Sequence, residues 1–348
     1  MNTPNPVKPK PMVKAIYGAA KLFGLSSNPA ITGYEPGHEF QSDVPAVNSD
    51  YYFREELFMA IASFWDAGFH KSSGMYLFGF HGTGKTSLIE QFAARLNIPC
   101  FVLECSEDVE LSDVLGQWRL INGNTVWVDG PLLSAFKCGG WFVCEEIDQL
   151  RPTITVAMHA VLDGGDLVVP GLGGKRYRRK SNFAFFATGN TNGTSSQHSL
   201  NYSGANEGNA ATLDRFIMEE VLYMDAAQEV PLCIRCNPKV PEKIVEGCVT
   251  MANDVRKSFM SGSSPVTFST RTLLRWIKLY AFEHAYHSSH LMPNASADEI
   301  LSSALCRSID RTLGFRIPDR EERQFLYDNL GRIFGFDASS AMGVAGDE

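Results

Sequence analysis

Eight consecutive residues, Gly79-Phe80-His81-Gly82-Thr83-Gly84-Lys85-Thr86, set glycines, a lysine and a hydroxyl at the spacing G-x-x-x-x-G-K-[ST]. That spacing is the phosphate-binding loop. Glycines let the backbone bend until its N–H groups face phosphate oxygens, and the helix that follows turns its positive end to the same point. Lys85 would reach the terminal phosphates of ATP, and the Thr86 hydroxyl would ligate Mg²⁺. Gly79, His81, Gly82, Thr83, Gly84 and Ser87 complete the expected nucleotide-binding set. The flanking pattern is right for such a loop. "GMYLFGF" (74–80) has the character of a buried strand, and "TSLIEQFAARLN" (86–97) that of an amphipathic helix.

A second stretch, "WFVCEEID" (141–148), runs from an apolar strand directly into acids. Buried strands seldom end in clustered carboxylates, because like charges repel and each costs several kcal/mol to bury unpaired, roughly. Beside a phosphate loop the acids have a purpose. Glu145 would orient Mg²⁺ through its waters and Glu146 would polarise the attacking water. Asp148 is expected as a helix N-cap or a hairpin ion-pair partner.

Around these two motifs strands and helices alternate, which predicts an α/β domain with a largely parallel sheet. "PCFVLEC" (99–105) and "NFAFFATGN" (182–190) are expected strands, and "PLLSAFKCG" (131–139) and 153–165 expected helices. Hairpins are expected at 120–128 and 166–180. After about residue 225 strand patterns cease. Four helical segments follow, at 241–260, 269–289, 297–313 and 319–334. The expected division is an N-terminal extension, partly disordered, at 1–50, with one small helix and suited to packing on a neighbouring subunit. A nucleotide-binding core at 51–225, a helical lid at 226–335 and a tail at 336–348 complete it.

In order along the chain, "GFHGTGKTSLIEQFAARLNIPC" (79–100), "FVCEEIDQLRP" (142–152), "FFATGNT" (185–191), "LDRF" (213–216) and "STRT" (269–272) resemble CobS, the AAA+ motor subunit of aerobic cobaltochelatase. "VPAVNSDYYF" (44–53) echoes the same family. The resemblance spans roughly 40–290, and the chain is similar, more distantly, to the MoxR and magnesium-chelatase ATPases. It implies an AAA+ fold with two inserted hairpins, which the segments 120–128 and 166–180 fit. It also implies a hexameric ring and a partner bearing a von Willebrand A domain. Asn190 would be the polar sensor residue, Arg215 an arginine finger offered to the adjacent subunit, and Arg271 a second sensor on the nucleotide. One position departs: the family has Asp where Glu145 stands. The added methylene moves the carboxylate by about 1.5 Å.

The remaining features are less specific. "KRYRRK" (175–180) concentrates Lys175, Arg176, Arg178 and Arg179 on one hairpin, either as a solvated charged strand or as a pore element touching a partner. "CIRC" (233–236) with His284, His287 and His290 is a candidate zinc set, against the ordinary reading of reduced cysteines and solvated histidines. The 348 residues are 44% hydrophobic and 20% charged with net charge −8, which counts against general nucleic-acid binding. No membrane span and no apolar signal core are visible, so a cytoplasmic location is expected. Four functions remain open at this level. They are a chelatase-type motor, a related remodeller in a mobile-element or phage pathway, a nucleic-acid translocase, and a non-hydrolysing ATP-binding scaffold.

Overall fold

The computed structural model describes residues 10–193, 210–264, 266–318 and 320–337. Residues 1–9 of the expected extension and 338–348 of the expected tail lie outside them. The chain forms two compact units, Met1–Phe80 with Gly84–Val221, and His81–Thr83 with Leu222–Glu348.

Five short apolar runs build the sheet of the first unit: β1 (Gly74–Phe78), β2 (Cys100–Glu104), β3 (Trp141–Glu145), β4 (Ala184–Gly189) and β5 (Phe216–Glu220). All neighbours are parallel, in the order β5-β1-β4-β3-β2. Side chains alternate between two buried faces, which is why the strands read as continuous apolar runs. Trp141, Val143, Phe186, Met75 and Leu77 belong to one core, while Phe142, Cys144, Phe185 and Tyr76 belong to the other. The order matters for function. The phosphate loop leaves β1 and the acids leave β3, and β4 runs between them.

Residues 10–50 are not the loose extension expected. Strands Lys14–Gly18 and Ala30–Tyr34 pair antiparallel around a short helix, Ala19–Phe23. A five-residue helix cannot hold itself together in water, so packing must do it. Phe23 is buried against Phe53, Phe58 and Phe92 at centroid distances of 4.8, 4.9 and 4.7 Å. Arg95 ties the segment down, donating to the carbonyls of Leu22 and Asn48, each at 2.9 Å.

Two hairpins stand outside the sheet. The first pairs Gly116–Ile121 with Asn124–Asp129 through Asn122 (φ 50°) and Gly123 (φ 80°). Two positive φ values make the tight turn for which Asn-Gly is suited. The second pairs Leu167–Val169 with Lys175–Tyr177.

The second unit is helical among its described residues. The four expected segments form helices at Glu242–Met260, Thr270–Tyr286, Ala297–Thr312 and Arg320–Phe334. A further helix, Ala226–Cys236, contains Pro231. Proline lacks the N–H of the helical ladder and argues against a helix. Here Cys233 is buried in the unit's core, Val230 and Ile234 pack against it, and this packing holds the segment in place. Among the described residues no helix is long and apolar enough to cross a membrane.

If the N-terminal segment belongs to the core, Phe23→Ala should cost about 3–5 kcal/mol, as for other buried phenylalanines. Denaturant unfolding of the full chain measures this. A loss below about 1 kcal/mol would mean that the segment is a detachable arm.

Candidate functional site

The loop after β1 bends only because glycine stands where it does. Gly79 has φ 141°, and a Cβ there would come within 2.4 Å of the Val221 carbonyl oxygen. Gly84, at φ 90°, precedes the helix Lys85–Arg95. That helix brings Lys85 and Thr86 to the carboxyl ends of the strands.

Lys85 is only 8% exposed. Its Nζ donates to the carbonyls of Gly79 (2.7 Å) and Phe80 (3.0 Å) and to Asn190 Oδ1 (3.3 Å). Burial pulls its pKa down to about 8, while the charges of Asp148, Glu146 and Glu145 act in the opposite direction. The acids that end β3 therefore face a buried cation. In return the ammonium keeps a site that carboxylates alone could not occupy.

The Thr86 hydroxyl donates to Glu145 Oε1 at 2.7 Å. The longer acid thus spans the gap to the phosphate loop directly. Glu146 adopts a left-handed backbone (φ 57°, ψ 51°), unusual for a residue with a side chain. Its N–H donates to Thr188 Oγ1 at 3.2 Å. Asn190, at the end of β4, lies between the two motifs as the strand order requires. Asp148 is neither an N-cap nor a hairpin ion-pair partner. It is buried, and its Oδ2 accepts the Asn190 N–H at 2.9 Å. Burial raises its pKa, opposed by that hydrogen bond. Lys85, Thr86, Glu145, Glu146, Asn190 and Asp148 thus come together at one end of the sheet.

Other expected residues lie elsewhere. Arg215 precedes β5, with Nε 2.9 Å from Asp163 Oδ1 and a hydrogen bond to the Ala211 carbonyl. Arg271 is exposed near the start of the helix Thr270–Tyr286, whose N-cap Ser269 accepts the Thr272 N–H. On the second hairpin Lys175, Arg176 and Arg178 are exposed. Arg179 departs from the expected partner contact. It donates to the carbonyls of Val161 (2.7 Å) and His70 (2.6 Å) and lies over the Phe183 ring. Its cation is used to hold the hairpin base. The zinc reading also fails. Cys233 is buried in the helical core, His287 is buried beside Glu283, and no cluster of three or more His, Cys, Asp or Glu among the described residues is placed to hold a metal.

A phosphate loop on β1, acids on β3 and a polar residue on the intervening β4 form an ATPase arrangement. Residues 74–216 match the AAA domain (dynein-related subfamily). The aerobic cobaltochelatase subunit CobS of Sinorhizobium sp is 29% identical over 265 residues, 74% of this chain and 77% of that protein. These matches support an AAA+ ATPase of the CobS/MoxR type. NorQ of Paracoccus denitrificans is 27% identical over 175 residues, covering 50% of the chain and 62% of NorQ. CbbQ of Hydrogenophilus thermoluteolus is 31% identical over 99 residues, covering 28% and 37%. The chain therefore spans under two thirds of these last two. The ATPase hydrolyses ATP to ADP and phosphate, and ATPases of its type generally form oligomeric rings.

The donor set fits magnesium. Thr86 Oγ1 and Glu145 Oε1 already touch, and both are hard oxygen ligands. Mg²⁺ takes few protein ligands and fills its shell with phosphate and water. When bound it would neutralise developing phosphate charge.

Glu145→Gln keeps the shape and loses the charge. It should raise the Mg²⁺ concentration for half-maximal ATPase by about tenfold, the equivalent of roughly 1.4 kcal/mol. A Mg²⁺ titration of the steady-state rate reads this directly. A curve superposing on wild type would remove Glu145 from the metal site.

Proposed function

We propose that this ATPase is the motor of a ring, hexameric in form, that binds ATP with Mg²⁺ and spends the hydrolysis energy on remodelling a partner protein. The observation that carries the reading is the join of Thr86 to Glu145 and of Lys85 to Asn190. It links both nucleotide motifs through side chains whose roles follow from their chemistry. Lys85 and the loop from Gly79 to Ser87 bind the phosphates. Glu146 polarises the attacking water, and Asn190 holds that water or the γ-phosphate. Arg215 acts on the neighbouring subunit's nucleotide, leaving its pairing with Asp163 as it does so. Arg271 contributes a second cation to the nucleotide.

The similarity to CobS over three quarters of both chains favours a chelatase-type motor working beside the metal-inserting subunit. The resemblance also implies a partner bearing a von Willebrand A domain. Lys175, Arg176 and Arg178 are the exposed cations suited to engaging a partner. A second reading, an activator of another enzyme, draws on the similarity to NorQ, CbbQ and the denitrification regulatory protein NirQ of Pseudomonas aeruginosa.

Subunit mixing tests the ring. Arg215→Ala and Glu146→Gln should each bind ATP and each lose turnover, by about 10³-fold or more for the finger and 10²–10⁴-fold, roughly, for the base. Mixed together they should recover part of the rate, because some interfaces then pair an intact finger with an intact acid. Full activity of Arg215→Ala in dilute monomer would contradict an arginine acting between subunits.

A further inference from the structure

The regular pairing of β3 with β4 reaches Cys144 opposite Ala187 at its carboxyl end. Glu146 and Asn190 both lie beyond that pair, where no ladder bonds hold the two chains in register. Two side chains continue the connection, one from each strand's end. Thr188, on β4, accepts the backbone N–H of Glu146 at 3.2 Å. Asp148, beyond β3, accepts the backbone N–H of Asn190 at 2.9 Å. The two bonds are reciprocal. Each residue proposed to act on the nucleotide is held by a side chain from the opposite strand end.

Both acceptors are buried, Thr188 at 1% exposure and Asp148 at 7%. Neither bond belongs to a helix or a sheet ladder, so secondary structure alone does not require them. The bond from Thr188 has a definite load. Glu146 sits in the left-handed region at φ 57°, a conformation that costs about 1–3 kcal/mol and persists only when its surroundings enforce it. The bond from Asp148 fixes the start of the segment after β4. There the Tyr76 hydroxyl also donates to the Thr191 carbonyl at 2.5 Å. Asn190 is thus held by its backbone from one side and by Lys85 at its side chain.

We infer that Asp148 and Thr188 form a reciprocal clamp that sets the separation of Glu146 and Asn190, and that they are positioning residues for hydrolysis rather than for ATP binding. The inference deepens the reading of Glu146 and Asn190 as the residues acting on water and γ-phosphate, and it rests on that reading. Hydrolysis depends on where those groups stand to within about 1 Å, and a misplacement of that size can cost about 10²-fold. ATP affinity rests on Lys85 and the phosphate loop; neither clamp bond is made to them, and Asp148 acts on Lys85 only through its charge, which Asp148→Asn and Asp148→Ala remove alike.

The test is a set of four clamp variants of the full chain, each measured for kcat, ATP dissociation constant and Tm. Asp148→Asn keeps an acceptor oxygen, and Thr188→Ser keeps the hydroxyl. Asp148→Ala and Thr188→Val remove the acceptors, the latter with nearly unchanged shape. The expected result is a fall in kcat of about 10–100-fold for Asp148→Ala and Thr188→Val, with ATP affinity of Thr188→Val within about twofold of wild type and that of Asp148→Ala within about twofold of the equally uncharged Asp148→Asn. Asp148→Asn and Thr188→Ser should return kcat to within about threefold, since the acceptor is restored. Glu146→Gln and Asn190→Ala run alongside. If those two keep wild-type turnover, the reading beneath the inference fails. If they lose turnover while Asp148→Ala and Thr188→Val do not, the clamp alone is overturned. A loss of ATP affinity matching the loss of kcat, or Asp148→Asn as slow as Asp148→Ala, also overturns it.

Discussion

The charge on Lys85 is the constraint around which this site is built. An ammonium 8% exposed would ordinarily shed its proton or move to solvent. Here two carbonyls of its own loop accept from it, and the charges of three carboxylates, Asp148, Glu146 and Glu145, favour its protonated form. The relation is mutual. Those acids end a buried strand, where without a cation they would repel one another and lose water. Removing one member of such a set costs about 3–5 kcal/mol, since the others remain buried without it. Phosphate oxygens would replace the Gly79 and Phe80 carbonyls as acceptors, and the loop would exchange internal bonds for bonds to nucleotide.

Strand order turns that cluster into a device for hydrolysis. Because β4 lies between β1 and β3, Asn190 emerges between the phosphate loop and the acids rather than at the rim. The apolar alternation of Trp141 to Cys144 and of Ala184 to Ala187 buries both faces of these strands. A rigid sheet therefore presents this polar cluster at the carboxyl ends of its central strands. The aromatic packing of Phe23, Phe53, Phe58 and Phe92 supports the helix that carries Lys85 and Thr86. In the second unit the buried pair Arg256 and Glu229 plays a comparable supporting part. Arg256 donates to Glu229 at 2.6 and 2.8 Å and to the Phe268 carbonyl at 2.6 Å. Thr270 also donates to Glu229, which braces the turn preceding Arg271.

The parts legible in the sequence are those where local pattern and chemistry coincide. Glycines before Lys85 and acids after an apolar run have few alternative uses, and the helices of the second unit carry clear 3.6-residue periodicity. Other parts depend on distant packing. The strands Lys14–Gly18 and Ala30–Tyr34 are short and glycine-containing, and a partner surface formed by Phe53, Phe58 and Phe92 decides their structure. Ala226–Cys236 is a helix despite Pro231 for the same reason. Arg179 looked equivalent to Arg176 and Arg178 in "KRYRRK", yet three-dimensional placement gives its cation to the carbonyls of Val161 and His70. Asp148 stood in plain view beside Glu146. Its partner is a backbone N–H forty-two residues away, which no local rule could supply.

The most direct test of the account is calorimetric titration of ATP with Mg²⁺ into Lys85→Met, compared with wild type. Methionine retains the apolar stem and removes the charge. The account predicts an affinity loss of about a hundredfold or more, the worth of charged hydrogen bonds to phosphate at roughly 3 kcal/mol. It also predicts a lower Tm without nucleotide, because the acids that face the ammonium would then stay buried without a cation. Unchanged ATP affinity in a folded Lys85→Met protein would contradict the central claim that this buried ammonium is the phosphate-binding charge.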